Sequence, residues 1–193
     1  MTLVLASSSR IRRAMLEQAG VEFAVVPADV DEDIEKAKHV SPDALTVALA
    51  EKKALAVSGA RAGDWVIGSD SVVSVEGRRF DKPADREQAA EHLRFFSGKE
   101  MRLTSAVALA RDGLADWSLS DCATLKVRGL SDSFIAEYLQ AEWPEVGYCV
   151  GVFRLEGRGA QLFDSIDGSY FTILGMPLLP LLGALRERGL LES

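Results

Sequence analysis

The chain has 193 residues, of which 48% are hydrophobic, and 22 Lys and Arg stand against 29 Asp and Glu for a net charge of −7. That length and apolar content supply a sizeable core and exclude a disordered chain. The acidic balance excludes a global basic field drawing the protein to nucleic acid, although a local basic cluster still binds phosphate, because charges more than about 8 Å apart are largely screened.

Residues 2–6, TLVLA, read as a buried strand, and residues 9–19 as a helix closed by Gly20. The helix opens with SSSRIRR, so Arg10, Arg12 and Arg13 crowd a first turn where the peptide dipole favours acids. An anionic ligand at that turn would offset the mismatch. FAVVP (23–27) reads as a second strand, and DVDEDIE (29–35) as a solvated acidic loop in which one or two acids could hold Mg²⁺. The clearest helix covers 41–59, with Ser41 as cap, Pro42 at its first position, Asp43 against the dipole and Gly59 at its end.

WVIGSDSVVSV (65–75) reads as one strand continuing through SDS to a turn at Glu76-Gly77. A helix follows over 84–96. Residues 102–110 and 117–128 pair as a hairpin around ARDG, and further helices span 130–140 and 178–189. Strands alternating with helices, then a hairpin, predict an α/β fold on a mixed β-sheet flanked by helices, with residues 1–193 as a single domain.

Cys122 and Cys149 are too few and too far apart for a disulfide framework or a CxxC metal site, and read as reduced, buried thiols. The longest apolar stretch, TILGMPLLPLLGAL (172–185), is 14 residues with two prolines, which excludes a membrane span, and the N-terminal apolar run is too short for a signal peptide. The expectation is a cytoplasmic protein with neither membrane nor nucleic acid as partner.

Several residues stand out from their patterns. In the 41–59 helix, Lys53 points along a stripe of Leu45, Leu49, Ala56 and Val57. It either snorkels off the edge, which the helix pattern alone favours, or reaches into a polar cleft. Its neighbour Lys52 is easily solvated. Asp70 interrupts a doubly buried run, where an unpartnered carboxylate costs several kcal/mol. It marks either a turn between short strands or a metal ligand or general base, and the flanking β-branched residues favour the second. Gly68 leaves room for something to approach the backbone. Lys82, before Pro83, reads by default as a surface lysine, and Glu156 as an exposed loop acid. His39 and His92 carry no role. EGRGAQLFDSIDGSY (156–170) matches neither a Walker A loop nor a dinucleotide fingerprint.

Together these segments resemble one family, the Maf-like nucleoside triphosphate pyrophosphatases. LASSSRIRR is similar to its L-A-S-x-S-P-R-R signature, VDED to its acidic loop, LAEKKA to L-A-x-x-K-A, and GSDSVV to G-A-D-T-V-V. DKP is similar to E-K-P, SGK to S-G-K/Q, and EGRGAQLFDSIDGSYFTILGMPL to the block Q/E-G-x-G … I-x-G-S-Y … V-G-L-P-L. The blocks keep their order over about 180 residues. The resemblance implies two lobes around a central nucleotide cleft, and hydrolysis of the α–β phosphoanhydride to a monophosphate and pyrophosphate with a divalent cation, Mg²⁺ or Mn²⁺. By the same resemblance, Asp70 is the general base, Glu32 and Asp70 hold the metal, and Lys53 and Lys82 serve catalysis. Ser7, Ser9 and Arg12 fall in the phosphate-binding signature. That set suits a triphosphate, whose roughly four negative charges need donors and cations aimed at one volume.

The departures bear on the base. Ile11 stands where the family has its first arginine, Ser71 where it has threonine, and Glu156 where pyrimidine-specific members have glutamine. Cys149 and Phe153 replace a lysine and a tyrosine. This pattern resembles the 7-methyl-GTP pyrophosphatase branch. The chemistry agrees, since one carboxylate accepts both the N1–H and the 2-amino group of guanine. Pyrimidine (dTTP or UTP) or broad-range house-cleaning specificity is the alternative, as is a non-catalytic nucleotide-binding regulator of septum formation. Removal of a terminal phosphate is the remaining chemical alternative, and a homodimer is what the resemblance suggests.

Overall fold

A computed structural model describes residues 2–38 and 41–192. In chain order the elements are β1 (Leu3–Leu5), α1 (Arg10–Gln18), β2 (Ala24–Val25), α2 (Asp33–Lys38), α3 (Pro42–Ser58), β3 (Trp65–Val75), β4 (Arg78–Phe80), α4 (Arg86–Phe96), β5 (Glu100–Arg111), β6 (Leu114–Val127), α5 (Asp132–Glu142), β7 (Phe163–Asp167), α6 (Tyr170–Ile173) and α7 (Leu178–Glu187), with 3₁₀ turns at Glu145–Tyr148 and Arg158–Leu162. The strand order is β2-β1-β3-β5-β6-β7, with β4 also on β3. β1 runs parallel to β2 and β3, whereas β4 on β3 and β7 on β6 are antiparallel, so the sheet is mixed as expected. The chain divides into two compact units: one comprises the chain up to Ser71, Thr104–Asp121 and the segment from Ser169, and the other Val72–Leu103 and Cys122–Gly168.

In the first unit, the two-residue period of a strand sorts side chains into two cores. Leu3, Leu5, Trp65, Ile67, Val107 and Leu109 meet Met15, Leu16 and the apolar side of α7. Val4, Ala6, Val66, Ala106, Ala108 and Ala110 face the other way, onto Ala50, Ala54 and Val57 of α3. This second face is built of small residues, which lets α3 lie close to the sheet. Gly68 continues it: a Cβ there would stand 2.0 Å from the carbonyl oxygen of Ala50 and 2.7 Å from the nitrogen of Ala54. The space that Gly68 leaves is therefore taken by α3.

The second unit joins α4 to α5 and holds an aromatic cluster of Phe80, His92, Phe95 and Phe96. Arg78 and Lys99 lie over the Phe95 ring at 5.4 and 3.6 Å. Phe153 and Phe163 pack edge to face at 4.8 Å.

Several local expectations need correction. The acidic 29–35 segment is not wholly loop, because α2 starts at Asp33 with two acids in its first turn and lysines in its last. The buried stripe of α3 is Leu45, Leu49, Ala50, Ala54 and Val57, while Ala56 is exposed, since the small residues turn towards Gly68. Ser41 makes no side-chain capping bond, and Gly59 stays in the right-handed helical region. The short elements β4, β7 and α6 lie where no element was expected. Cys122 and Cys149 are half-buried rather than buried. His39 lies outside the described residues. Among the described residues, no helix is long and apolar enough to cross a membrane.

Candidate active site

The β3 segment Ser69-Asp70-Ser71 organises the polar site of the first unit, because alternation sends Asp70 to one side and the two serines to the other. Asp70 emerges beside α3, two residues past Gly68. Its side chain is only 12% exposed, and its Oδ1 accepts from Lys53 Nζ at 2.6 Å. The same ammonium lies 2.7 Å from Glu32 Oε1, immediately before α2. Lys53 therefore reaches polar partners instead of snorkelling to solvent, and one cation bridges two carboxylates. Glu32 also lies 3.7 Å from Lys36. Lys52 is not merely solvated: its Nζ donates to the Asp31 carbonyl at 2.7 Å and lies 3.4 Å from Glu35 Oε1. The adjacent lysines thus divide two tasks, one anchoring α2 and the other reaching the acids.

On the opposite side of the segment, Arg12 projects from the first turn of α1. Its Nε donates to the Gly175 carbonyl at 2.9 Å, Nη1 to the Ser69 carbonyl at 2.9 Å, and Nη2 to Ser71 Oγ at 3.0 Å. Burial pulls this guanidinium below its ordinary pKa, and the charges of Asp70 and Glu32 oppose the shift. Three of five N–H groups are committed, so the fork is fixed in direction while two N–H groups remain. Ser9 caps α1 by accepting from Arg12 N at 3.4 Å, and Ser7 Oγ accepts from Ser9 N at 3.2 Å. The two serines shape the loop leading into the helix. Ile11 is half-buried, Arg10 exposed, and exposed Arg13 pairs with Glu17 at 2.7 Å.

Lys82 and Glu156 belong to the second unit, and both are exposed. Cys149 feels both: burial pushes its thiol up to about 11, Glu156 adds to the rise, and Arg154 and Lys82 oppose it. The thiol therefore stays protonated and unreactive at neutral pH. Arg154, two residues before Glu156, is held by Glu142 at 2.9 Å. Phe153 is a core residue.

A divalent cation of the Mg²⁺ type takes one or two carboxylates, with water and phosphate oxygens completing its shell. Among the described residues no group of three or more His, Cys, Asp and Glu could hold a metal alone. Glu32 and Asp70, converging on one ammonium, fit the two-carboxylate case: they already share a cation.

Sequence reasoning missed Ser69, Ser105, Thr172 and Gly175, which surround Ser71 and Arg12. A signal existed, since Ser105 is a polar residue in the otherwise apolar run SAVALA.

The site thus sets a carboxylate–lysine–carboxylate bridge on one side of a β-strand and a clamped arginine on the other, within an α/β protein. The family whose sequence model is described as "Maf-like protein" matches residues 2–188, and the chain belongs to this family. A Rhizobium etli protein named 7-methyl-GTP pyrophosphatase is 46% identical over 196 residues, spanning 99% of this chain and 98% of that protein. A Rhodopseudomonas palustris protein named nucleoside triphosphate pyrophosphatase is 44% identical, over 98% of this chain and 95% of its own length. The solved structure of the Staphylococcus aureus Ham1 protein aligns over 97% of this chain and 98% of its own, at 15% identity and a TM-score of 0.48.

Proposed function

We propose that this protein hydrolyses the α–β phosphoanhydride of a nucleoside triphosphate, releasing the monophosphate and pyrophosphate. The observation carrying this reading is the Glu32–Lys53–Asp70 bridge at 2.7 and 2.6 Å, set against a directed Arg12 fork on the other side of the Ser69-Asp70-Ser71 segment. Asp70 accepts the proton of the attacking water, and its low exposure keeps bulk water from competing for that carboxylate. Lys53 holds the Asp70 carboxylate in place and adds positive charge where negative charge grows on the phosphoryl oxygens. The two uncommitted N–H groups of Arg12 bind phosphate, and on the family pattern we assign Lys82 as a further cation for the triphosphate. A divalent cation held by Glu32 and Asp70 would supply Lewis-acid polarisation and a more acidic bound water.

The base we assign is of the guanine type, supported by Glu156, an exposed carboxylate able to accept two adjacent donors, and by the names of two relatives. The test is a panel of triphosphates with Mg²⁺ or Mn²⁺, including 7-methyl-GTP, GTP, dTTP and UTP, scored for pyrophosphate against orthophosphate. Pyrophosphate release with a guanine-type preference is expected. Orthophosphate as sole product would overturn the α–β assignment, and pyrimidine preference would overturn the base. The variant Asp70→Asn should lose turnover while retaining nucleotide binding by calorimetry, and wild-type turnover would remove Asp70 as the base.

A further inference from the structure

Arg12 is held through a hydrogen-bond chain whose direction the chemistry settles. Ser105 Oγ, in fully buried surroundings on β5, lies 2.8 Å from the carbonyl of Thr172. A carbonyl cannot donate, so the single hydroxyl hydrogen of Ser105 is committed there. Ser105 Oγ also lies 2.8 Å from Ser71 Oγ. With its own hydrogen spent, Ser105 accepts in that contact and Ser71 donates. Ser71 then offers Arg12 Nη2 only lone pairs, at 3.0 Å. The chain runs one way, from the Arg12 guanidinium through Ser71 and Ser105 to the Thr172 carbonyl.

The far end of this chain is also secured. The Thr172 hydroxyl donates to an Asp121 carboxylate oxygen on β6. Three residues beyond Thr172, the Gly175 carbonyl accepts from Arg12 Nε at 2.9 Å and Ser69 Oγ at 3.0 Å, and stands 3.2 Å from Ser71 Oγ as the competing acceptor for the hydrogen that Ser71 gives to Ser105. Gly175 adopts φ +108°, which side-chain-bearing residues rarely take, and a Cβ there would stand 3.3 Å from Ser71 Oγ. The turn after α6 thus receives the guanidinium and stands against the hydroxyl that orients it.

We propose that Ser105 is a positioning residue for phosphate binding: by accepting from Ser71, it fixes the Ser71 hydroxyl and through it the plane of the Arg12 fork, without touching the nucleotide. Remove the Ser105 oxygen and the Ser71 hydrogen turns to the Gly175 carbonyl, 3.2 Å away, so the lone pairs that faced Nη2 swing out of line. This inference rests on Arg12 binding phosphate.

The experiment is a double-mutant cycle on the full chain, reading KM and kcat separately for the best substrate of the panel, with melting temperature alongside. Ser105→Ala should raise KM about tenfold, with a smaller change in kcat, because the interaction acts on binding of a charged group. Ser105→Thr keeps the hydroxyl and should restore KM. In an Arg12→Met background, or Arg12→Lys should that variant fold poorly, Ser105→Ala should add less than a twofold change. A Ser105→Ala enzyme that melts lower but keeps its KM has only a structural serine, and the proposal falls. Equal KM increases with and without Arg12 also overturn it. If Arg12→Met itself leaves KM unchanged, Arg12 does not bind phosphate, and the failure lies with that earlier reading.

Discussion

Replacing Gly68 with alanine should damage stability and catalysis together. The new methyl would sit 2.0 Å from the Ala50 carbonyl oxygen and 2.7 Å from the Ala54 nitrogen. Ordinary carbon–oxygen contacts are about 3.3 Å or more, so α3 must retreat by roughly 1 Å. Both opposing atoms are backbone, so no side-chain rotation relieves the clash. Overpacking of this kind costs about 1–3 kcal/mol, and the backbone origin places it near the upper end. For a chain of this size each kcal/mol lowers the melting temperature by about 2–4 °C, so a fall of roughly 6–12 °C is expected. Lys53 precedes Ala54 directly, and its 2.6 Å contact with Asp70 moves with the helix. Misplacement by about 1 Å can cost about 10²-fold in rate. Differential scanning fluorimetry and a pyrophosphate-release assay read both effects. Gly183→Ala in α7, where a Cβ meets nothing within 4 Å, is the control and should be neutral or mildly stabilising. A Gly68→Ala protein with native melting and native turnover would refute the claim that close packing of α3 on β3 sets the position of Lys53.

The variant Lys53→Met takes the shared cation from Asp70 and Glu32, side chains 12% and 35% exposed, while Glu32 keeps Lys36 at 3.7 Å. A loss of about 2 kcal/mol is expected, below the cost of stranding fully buried charges. Mn²⁺ should then raise its melting temperature more than that of the wild type, as binding to the native state alone dictates, and equal shifts would argue against a shared cation position. Glu156→Gln should move preference from guanine-type to pyrimidine triphosphates, and an unchanged substrate profile would reject the recognition role. His92 lies edge-on to Phe80 at 5.1 Å, and its Nδ1 is buried without a hydrogen-bond partner. Burial first, and Arg78 second, hold its pKa below the ordinary histidine value, against opposing charges on Glu91 and Asp81. The folded state therefore favours neutral His92, and stability falls as pH drops through about 6.5, where the unfolded chain takes up the proton. His92→Phe should flatten that acid-side fall in melting temperature, and an unchanged slope would remove His92 as its source.

How much was legible depended on whether the signal was local. The β3 run, the start of α3 at Ser41-Pro42 and the Glu76-Gly77 turn are written in neighbouring residues, and each lies where expected, although Ser41 makes no capping bond. Asp70 was conspicuous because a carboxylate in an apolar strand must find a partner. What was hidden depended on distant segments. LAEKKA singled out Lys53 but gave Lys52 no task, since its contacts with Asp31 and Glu35 exist only once α2 is beside α3. Gly68 was legible as a close approach, but not as the approach of a helix 14 residues upstream, from Ala54 at sequence position 54 to Gly68 at 68. Likewise Ser105 and Gly175 lie 34 and 104 residues from Ser71, and no short motif links them.

The arginines of SSSRIRR gain a different meaning from the same geometry. A helix start that repels cations tolerates Arg12 because its guanidinium leaves the helix altogether and ends on two carbonyls and a hydroxyl. Alternation in β3 then keeps it from collapsing onto Asp70: the carboxylate turns towards α3 and Lys53, while Arg12 is tied to the carbonyl of Ser69 and the hydroxyl of Ser71. Had the acid stood at position 69 or 71, a direct Arg12–carboxylate fork would have consumed both groups. The pattern S-D-S therefore does two jobs that one acidic residue could not. It pairs the acid with a lysine and a second carboxylate, and it leaves the arginine oriented by neutral acceptors with two N–H groups uncommitted, as the proposed phosphate binding requires.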